Sequence, residues 1–283
     1  MRSMLFVPGD SERKFARAAS GAADGLALDL EDSVAPERKP QARAAVRSML
    51  EQGAPGKQLW VRVNALDTGW LLEDLAAVVP ARPFGVVLPK CRGASDLAQL
   101  AHYLDALEAA ARLPLGAIRI LVIATETGAS LFGMGAYGGV TPRLAALSWG
   151  AEDLAADVGA PVNRVAGRYT EPFRLARSLC LHAAAAAGVP ALDTVCVEIE
   201  DLELLRGEAA EARRDGFAGK VAIHPSHIVP INEVFTASEA ELEWARKVVA
   251  AFDADPAAGA FRLDGKMIDR PHLRAARRML GIG

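Results

Sequence analysis

The chain has 283 residues, 51% of them hydrophobic, which suffices for one large α/β domain with a sizeable core and requires no second one. Its 32 basic and 35 acidic residues are interspersed and sum to −3, leaving no basic face of the kind nucleic acid needs. No apolar run reaches membrane-spanning length and the run before Pro8 is too short for a signal peptide, so a soluble cytoplasmic protein without membrane or nucleic-acid partners is expected.

Ser3-Met-Leu-Phe-Val-Pro8 reads as a strand stopped by Pro8-Gly9, and Asp10-Ser11 ahead of Glu12 and Lys14 starts a helix. Residues 25–32 form the second strand, and residues 42–50 the second helix after the polar segment 36–40. Strand three covers 58–64 with a helix over 71–79; strand four covers 84–90, with an Ala/Leu-rich helix over 95–111 whose apolar residues recur every three or four positions. Arg119-Ile-Leu-Val-Ile-Ala-Thr-Glu126 is the fifth strand, a continuous apolar run of the kind buried on both faces in a parallel sheet. The glycines from Gly133 to Gly139 fit neither phosphate-binding fingerprint and read as a flexible loop.

Residues 144–150 give strand six, 171–187 a long helix, 193–199 strand seven, 202–215 a helix and 219–225 strand eight. Eight strands alternating with helices, without a hairpin signal, predict a (β/α)₈ TIM barrel, with an open doubly wound sheet as the alternative. The barrel is assigned to residues 1–230. Residues 231–283, with helices over 238–251 and up to Leu280, are a C-terminal helical extension of the same domain. Pro256, Gly259 and Gly265 make it a tail without a core of its own, suited to a lid or an arm reaching a neighbouring subunit.

In such a barrel the strand C-terminal ends converge on one face, and here they carry Asp29, Glu31, Asp32, Arg62, Asn64, Lys90, Glu126, Asp153, Glu198 and His224. Glu126 and Asp153 follow strands five and six, which are barrel neighbours. Two adjacent carboxylates repel unless a proton or cation lies between them, or each is separately solvated. With no His or Cys cluster beside them, oxygen-seeking Mg²⁺ fits better than Zn²⁺.

Arg62, between two valines, suits a substrate carboxylate, an internal ion pair with Asp29 or Glu31, or both. Lys90 reads as compensation for the acidic ring, with a Schiff-base amine as the lesser reading. His224 and His227, separated by Pro225, favour strand-end hydrogen bonding over ligation. Cys91, Cys180 and Cys196 lack metal-ligand spacing and read as buried small hydrophobes.

In order along the chain, Phe-Val-Pro-Gly at 6–9, Leu-Asp-Leu-Glu-Asp at 28–32, Val-Arg-Val-Asn at 61–64, Leu-Pro-Lys at 88–90, Glu-Thr at 126–127, Gly-Ala-Glu-Asp at 150–153, Ile-His-Pro at 223–225 and Gly-Lys-Met-Ile-Asp at 265–269 resemble the citrate lyase β-subunit-like family. Malyl-CoA and citramalyl-CoA lyases are its close relatives. The resemblance implies a homotrimeric TIM barrel that binds Mg²⁺ through Glu126 and Asp153, holds a substrate carboxylate with Arg62, and keeps Glu31, Asp32 and Lys90 beside the metal. It further implies that Asp269 enters a neighbouring subunit's site as acid/base.

The expected reaction is cleavage, or Claisen-type formation, of a 3-hydroxy acyl thioester, releasing a 2-oxo acid such as oxaloacetate and an acetyl thioester of CoA or acyl carrier protein. Two alternatives stand beside it. One is a metal-dependent aldolase acting on free 2-oxo acids; the other is a non-catalytic subunit that requires an acyl-carrier-protein partner.

Overall fold

The computed structural model describes residues 1–282. Eight parallel strands close on themselves: β1 (Ser3–Pro8), β2 (Gly25–Asp29), β3 (Gln58–Arg62), β4 (Gly85–Leu88), β5 (Arg119–Ile123), β6 (Leu144–Ser148), β9 (Ala191–Asp193) and β10 (Gly219–Ala222). β1 pairs with both β2 and β10, which shuts the barrel. Closure removes every sheet edge and decides between the two predicted topologies in favour of the (β/α)₈ barrel.

The strands are buried on both faces because each side meets a different core. Toward the axis, Met4, Ala27, Trp60, Val87, Leu121 and Val221 fill the barrel. Small and large residues alternate in register, with Ala27 beside Trp60 and Val87 beside Leu121. Outward, residues such as Leu28, Val61, Val86 and Val122 meet the surrounding helices. Helix α7 (Glu171–Ala187) turns Phe173, Ala176, Cys180, Ala183 and Ala184 inward, the spacing of one helical face. Helix α1 (Glu12–Ala19) is capped by Ser11, as its sequence predicts.

Several expectations are corrected. Strand seven ends at Asp193 instead of running to residue 199, because its pairing with β10 stops there; Val197 and Ile199, good strand formers without a partner strand, lie exposed. The glycine-rich segment is a loop only in its second half: α5 (Gly128–Gly133) and a 3₁₀ turn (Met134–Ala136) take up its start, pinned by buried Met134 and Tyr137, and residues 138–139 form a turn. A further helix, α9 (Ile228–Phe235), covers β1 and β10, so the barrel unit extends through Phe235 and not residue 230.

Two hairpins were not anticipated. One joins β7 (Arg164–Val165) to β8 (Arg168–Tyr169) through Ala166-Gly167; the other joins β11 (Ala260–Leu263) to β12 (Lys266–Asp269) through Asp264-Gly265. Both turn residues have positive φ in each case, the geometry that Asp-Gly favours. The second hairpin lies in a separate compact unit, Thr236–Gly283, together with α10 (Glu239–Ala254) and α11 (Arg270–Leu280). That unit has a small apolar core of its own, with Ala245, Val248, Phe252, Ile268, Leu273 and Ala276, so it is not a coreless tail.

Candidate active site at the barrel mouth

β2 and β3 run in register so that Asp29 lies beside Arg62 at their ends. The guanidinium makes a two-pronged contact, donating from Nε and Nη2 to the two oxygens of Asp29, both at 2.7 Å. Its Nη1 lies 2.8 Å from Glu31 Oε2, and its carbon lies 4.7 Å from the centre of the Phe6 ring. Burial pushes the Asp29 carboxyl up, but the bonds and charge of Arg62 outweigh it and leave Asp29 below the usual carboxylate range. Both internal ion pairs foreseen for Arg62 therefore form. Of the five N–H donors of a guanidinium, two are hydrogen-bonded to Asp29, while Nη1 makes an ion pair with Glu31.

Lys90 follows β4 with a left-handed backbone, φ 51°, uncommon for a residue with a side chain. That turn aims its amide at Glu126 Oε2, 2.6 Å away, while its ammonium reaches Glu31, Asp153 Oδ1 at 3.1 Å and Asp32 Oδ2 at 3.4 Å. Burial disfavours the charged amine, but Glu31, Glu126 and Asp153 more than compensate and raise Lys90 above its ordinary value. A lysine held protonated in this way is no Schiff-base nucleophile. Glu31 is itself buried, and burial raises its carboxyl despite Arg62 and Lys90. Asp32 is exposed.

Glu126 stands three residues past β5 and is 3% exposed. Among the described residues the Lys90 amide supplies its one hydrogen bond. Asp153 lies in the first turn of α6 (Glu152–Val158), just after β6, the barrel neighbour of β5. The two strand ends are tied together by Thr125, whose hydroxyl accepts from the Gly150 amide at 3.0 Å. Gly150 is glycine for a steric reason: a Cβ there would come 2.7 Å from Glu126 Cγ. Burial first, and then the charge of Asp153, push the Glu126 carboxyl up to about 8.

Glu126, Asp153, Arg62 and Asp29 line one cavity of about 280 Å³, walled by Phe6, Trp149 and Ile123 among others. Trp149 is fixed from behind, its indole N–H donating to buried Asp193 at 2.8 Å. Asp193 is in turn held by Lys220 at 2.8 Å, in a charged cluster that the sequence reading did not single out. A larger cleft of about 480 Å³ lies between the β7–β8 hairpin and helices α7 and α8 (Leu202–Asp215); it reaches Asp193 but is not lined by Glu126, Asp153, Arg62 or Asp29.

Other members of the expected polar ring are elsewhere occupied. Asn64 is structural, donating to Leu30 O and to buried Asp74. Glu198 is exposed because strand seven stops short of it. His224 Nδ1 pairs with Ser226, and His227 Nε2 with Ile199 O at 3.1 Å, which are hydrogen bonds at a strand end. All three cysteines are buried and free, and burial raises the Cys91 thiol to about 11. Asp269 belongs to the C-terminal unit, where Oδ1 lies 2.6 Å from His272 Nδ1 at the start of α11.

The chemistry of the mouth is that of an oxyanion-handling site with a cation deficit. A buried carboxylate with one amide donor and a carboxylate neighbour is undercompensated, and its donor set is oxygen alone, so a hard divalent cation fits it. Among the described residues no three His, Cys, Asp or Glu side chains form a ready-made metal cage. An ion here would complete its shell with water and ligand oxygens, as Mg²⁺ does.

A closed parallel barrel with carboxylates and a clamped arginine gathered at its strand C-terminal ends has the layout of a TIM-barrel enzyme's active site. The HpcH/HpaI aldolase/citrate lyase family model matches residues 2–225, and the chain belongs to that family. It is 36% identical over 286 residues to a (3S)-malyl-CoA thioesterase of Cereibacter sphaeroides, covering 99% of this chain and 93% of the relative. It is 32% identical over 298 residues to the L-malyl-CoA/beta-methylmalyl-CoA lyase of Rhodobacter capsulatus, covering 97% and 92%. Among solved structures, the CitE protein of Mycobacterium tuberculosis in complex with magnesium, acetoacetate and coenzyme A superposes with a TM-score of 0.79 at 36% identity, covering 99% of this chain and 97% of the other.

Proposed function

We propose that the protein is a Mg²⁺-dependent carbon–carbon lyase that cleaves a 3-hydroxy-carboxylic acyl-CoA thioester to a 2-oxo acid and acetyl-CoA, and can form it by the reverse condensation. The observation that carries this reading is the meeting of Glu126, Asp153 and Arg62 in one cavity at the barrel mouth. Family relatives act on malyl-CoA, and a solved relative holds magnesium with acetoacetate and coenzyme A.

Glu126 and Asp153 would hold the ion. Bound there, Mg²⁺ supplies Lewis-acid stabilisation for the negative charge that develops on the substrate's hydroxyl oxygen. Arg62, fixed by Asp29 and Glu31 and lining the cavity, would offer N–H groups not bonded to Asp29 to the substrate carboxylate. Because the guanidinium is already immobilised, binding sacrifices little side-chain freedom and the scissile bond is held in one orientation. Trp149 and Phe6 wall one side of the cavity and would limit water at the thioester enolate.

Asp269, oriented by His272, would take the hydroxyl proton and return one to the enolate carbon, acting in a neighbouring subunit of a cytoplasmic homotrimer. Oxaloacetate, glyoxylate or pyruvate is the 2-oxo acid. Coenzyme A, in preference to an acyl carrier protein, is the thiol.

The same binding groups would also serve thioester hydrolysis, the activity named for the Cereibacter sphaeroides relative. The deciding experiment incubates the isolated protein and Mg²⁺ with malyl-CoA, citramalyl-CoA and citryl-CoA. Released 2-oxo acid is trapped as its phenylhydrazone, and free thiol is measured in parallel. Oxo acid without free thiol is the lyase result; thiol without oxo acid replaces it with hydrolysis. No turnover of any of the three thioesters, with EDTA and Mg²⁺ samples alike, would refute both.

A further inference from the structure

The charges at the mouth do not balance. Even with Glu126 neutral, four carboxylates, Asp29, Glu31, Asp32 and Asp153, face the two cations Arg62 and Lys90, and Arg62 is committed to Asp29 and Glu31. Lys39 is close but turned away, its ammonium held by the carbonyls of Leu30, Glu31 and Val34 at 2.7, 3.1 and 3.3 Å. Among the described residues, Lys90 is the one cation in contact with Asp153. It also straddles the pair: its main-chain amide holds Glu126 and its ammonium holds Asp153. The left-handed backbone at Lys90 is what lets one residue do both.

Resting on the reading that Glu126 and Asp153 hold Mg²⁺, we infer that the Lys90 ammonium is a resident stand-in cation: it neutralises the acidic mouth when no metal is bound and opposes the ion's entry, thereby setting its affinity. An ammonium within 3.1 Å of Asp153 Oδ1 competes for the oxygen the ion needs, and repels the ion once both are present. Lys90 thus stabilises the empty site at the expense of the filled one. It is a positioning residue, distinct from the metal-holding carboxylates, and its side chain is separable from the amide that supports Glu126.

The test is isothermal titration of the wild-type protein, Lys90→Met and Lys90→Arg with MgCl₂ alone, with thermal melts in EDTA and in saturating Mg²⁺. Lys90→Met keeps the amide and is expected to bind Mg²⁺ about tenfold more tightly. Its melting temperature is expected to fall in EDTA and recover with Mg²⁺. Lys90→Arg, which keeps the charge, is expected to bind as the wild type does. Lys90→Gln serves as a second neutral variant should the methionine form fail to fold. Unchanged or weaker Mg²⁺ binding by the neutral variants, with binding by the wild type intact, overturns the inference and leaves the metal site standing. Absence of Mg²⁺ binding by the wild type removes the metal site and the inference together.

Discussion

Replacing Glu126 by glutamine is expected to stabilise the metal-free protein at neutral pH, an unusual outcome for a buried polar residue at an active site. Glu126 is 3% exposed, and its folded-state carboxyl lies at about 8 against an ordinary value of 4.5. The sign follows from proton counts. Below pH 4.5 both states are protonated and nothing is lost. Between 4.5 and about 8 the unfolded chain has released a proton that the folded chain retains, so stability declines as pH rises; above about 8 the loss is complete.

At 1.36 kcal/mol per unit of separation, the penalty is roughly 3 kcal/mol at pH 7 and about 5 kcal/mol above pH 8, as order-of-magnitude figures. Glutamine preserves the shape and an acceptor oxygen for the Lys90 amide, so the variant loses the charge and little else. At roughly 2–4 °C per kcal/mol for a domain of this size, the melting temperature in EDTA should rise by about 6 °C or more at pH 7. Melts of both proteins in EDTA at pH 5, 7 and 8.5 check this. The gap should be small at pH 5 and widen upward, and Mg²⁺ should raise the wild type but not the variant. A variant less stable than wild type at pH 7, or a gap that does not move with pH, would refute the electrostatic account of the site.

Gly150→Ala places a methyl 2.7 Å from Glu126 Cγ, so a loss of about 1–3 kcal/mol in denaturant titrations, or an at least tenfold weaker Mg²⁺ affinity by calorimetry, is expected. Among the described residues, Lys220→Met leaves buried Asp193 with Arg177 and Trp149 as its side-chain partners and should cost about 3 kcal/mol in urea unfolding. Asp269→Asn should abolish thioester cleavage while circular dichroism and melting stay near wild type; full retained turnover would remove Asp269 from the reaction. Finally, the three buried thiols should resist a thiol-specific dye in the native protein and react only on unfolding.

Much of the fold was legible from the chain because its signals are local. Buried strands such as Gly25–Asp29, apolar up to its closing aspartate, and Gly85–Leu88 are continuous apolar runs, and α7 (Glu171–Ala187) and α8 (Leu202–Asp215) begin and end where the sequence predicts. The Asp264-Gly265 turn carries a local signal as well, since Asp-Gly between alternating residues favours a hairpin. Strand seven failed for the opposite reason. Val195, Val197 and Ile199 have the composition of a strand, but a strand also requires a neighbour with which to share hydrogen bonds, and β10 ends its pairing at Lys220.

Residue identity and order thus determined the alternation of strand and helix, and which acidic and basic groups would stand at the strand ends. Which groups meet across consecutive strands was legible too, since β2 pairs with β3 and β5 with β6, but not the direction in which each side chain turns or how deeply it is buried. The tertiary structure decided the contacts themselves: Glu126 and Asp153 line one cavity, Arg62 is committed to both Asp29 and Glu31, and Lys90 is turned so that its amide and ammonium serve different carboxylates. Burial then gives these contacts their weight, since charges that water would screen on an open chain must be answered by one another inside a fold.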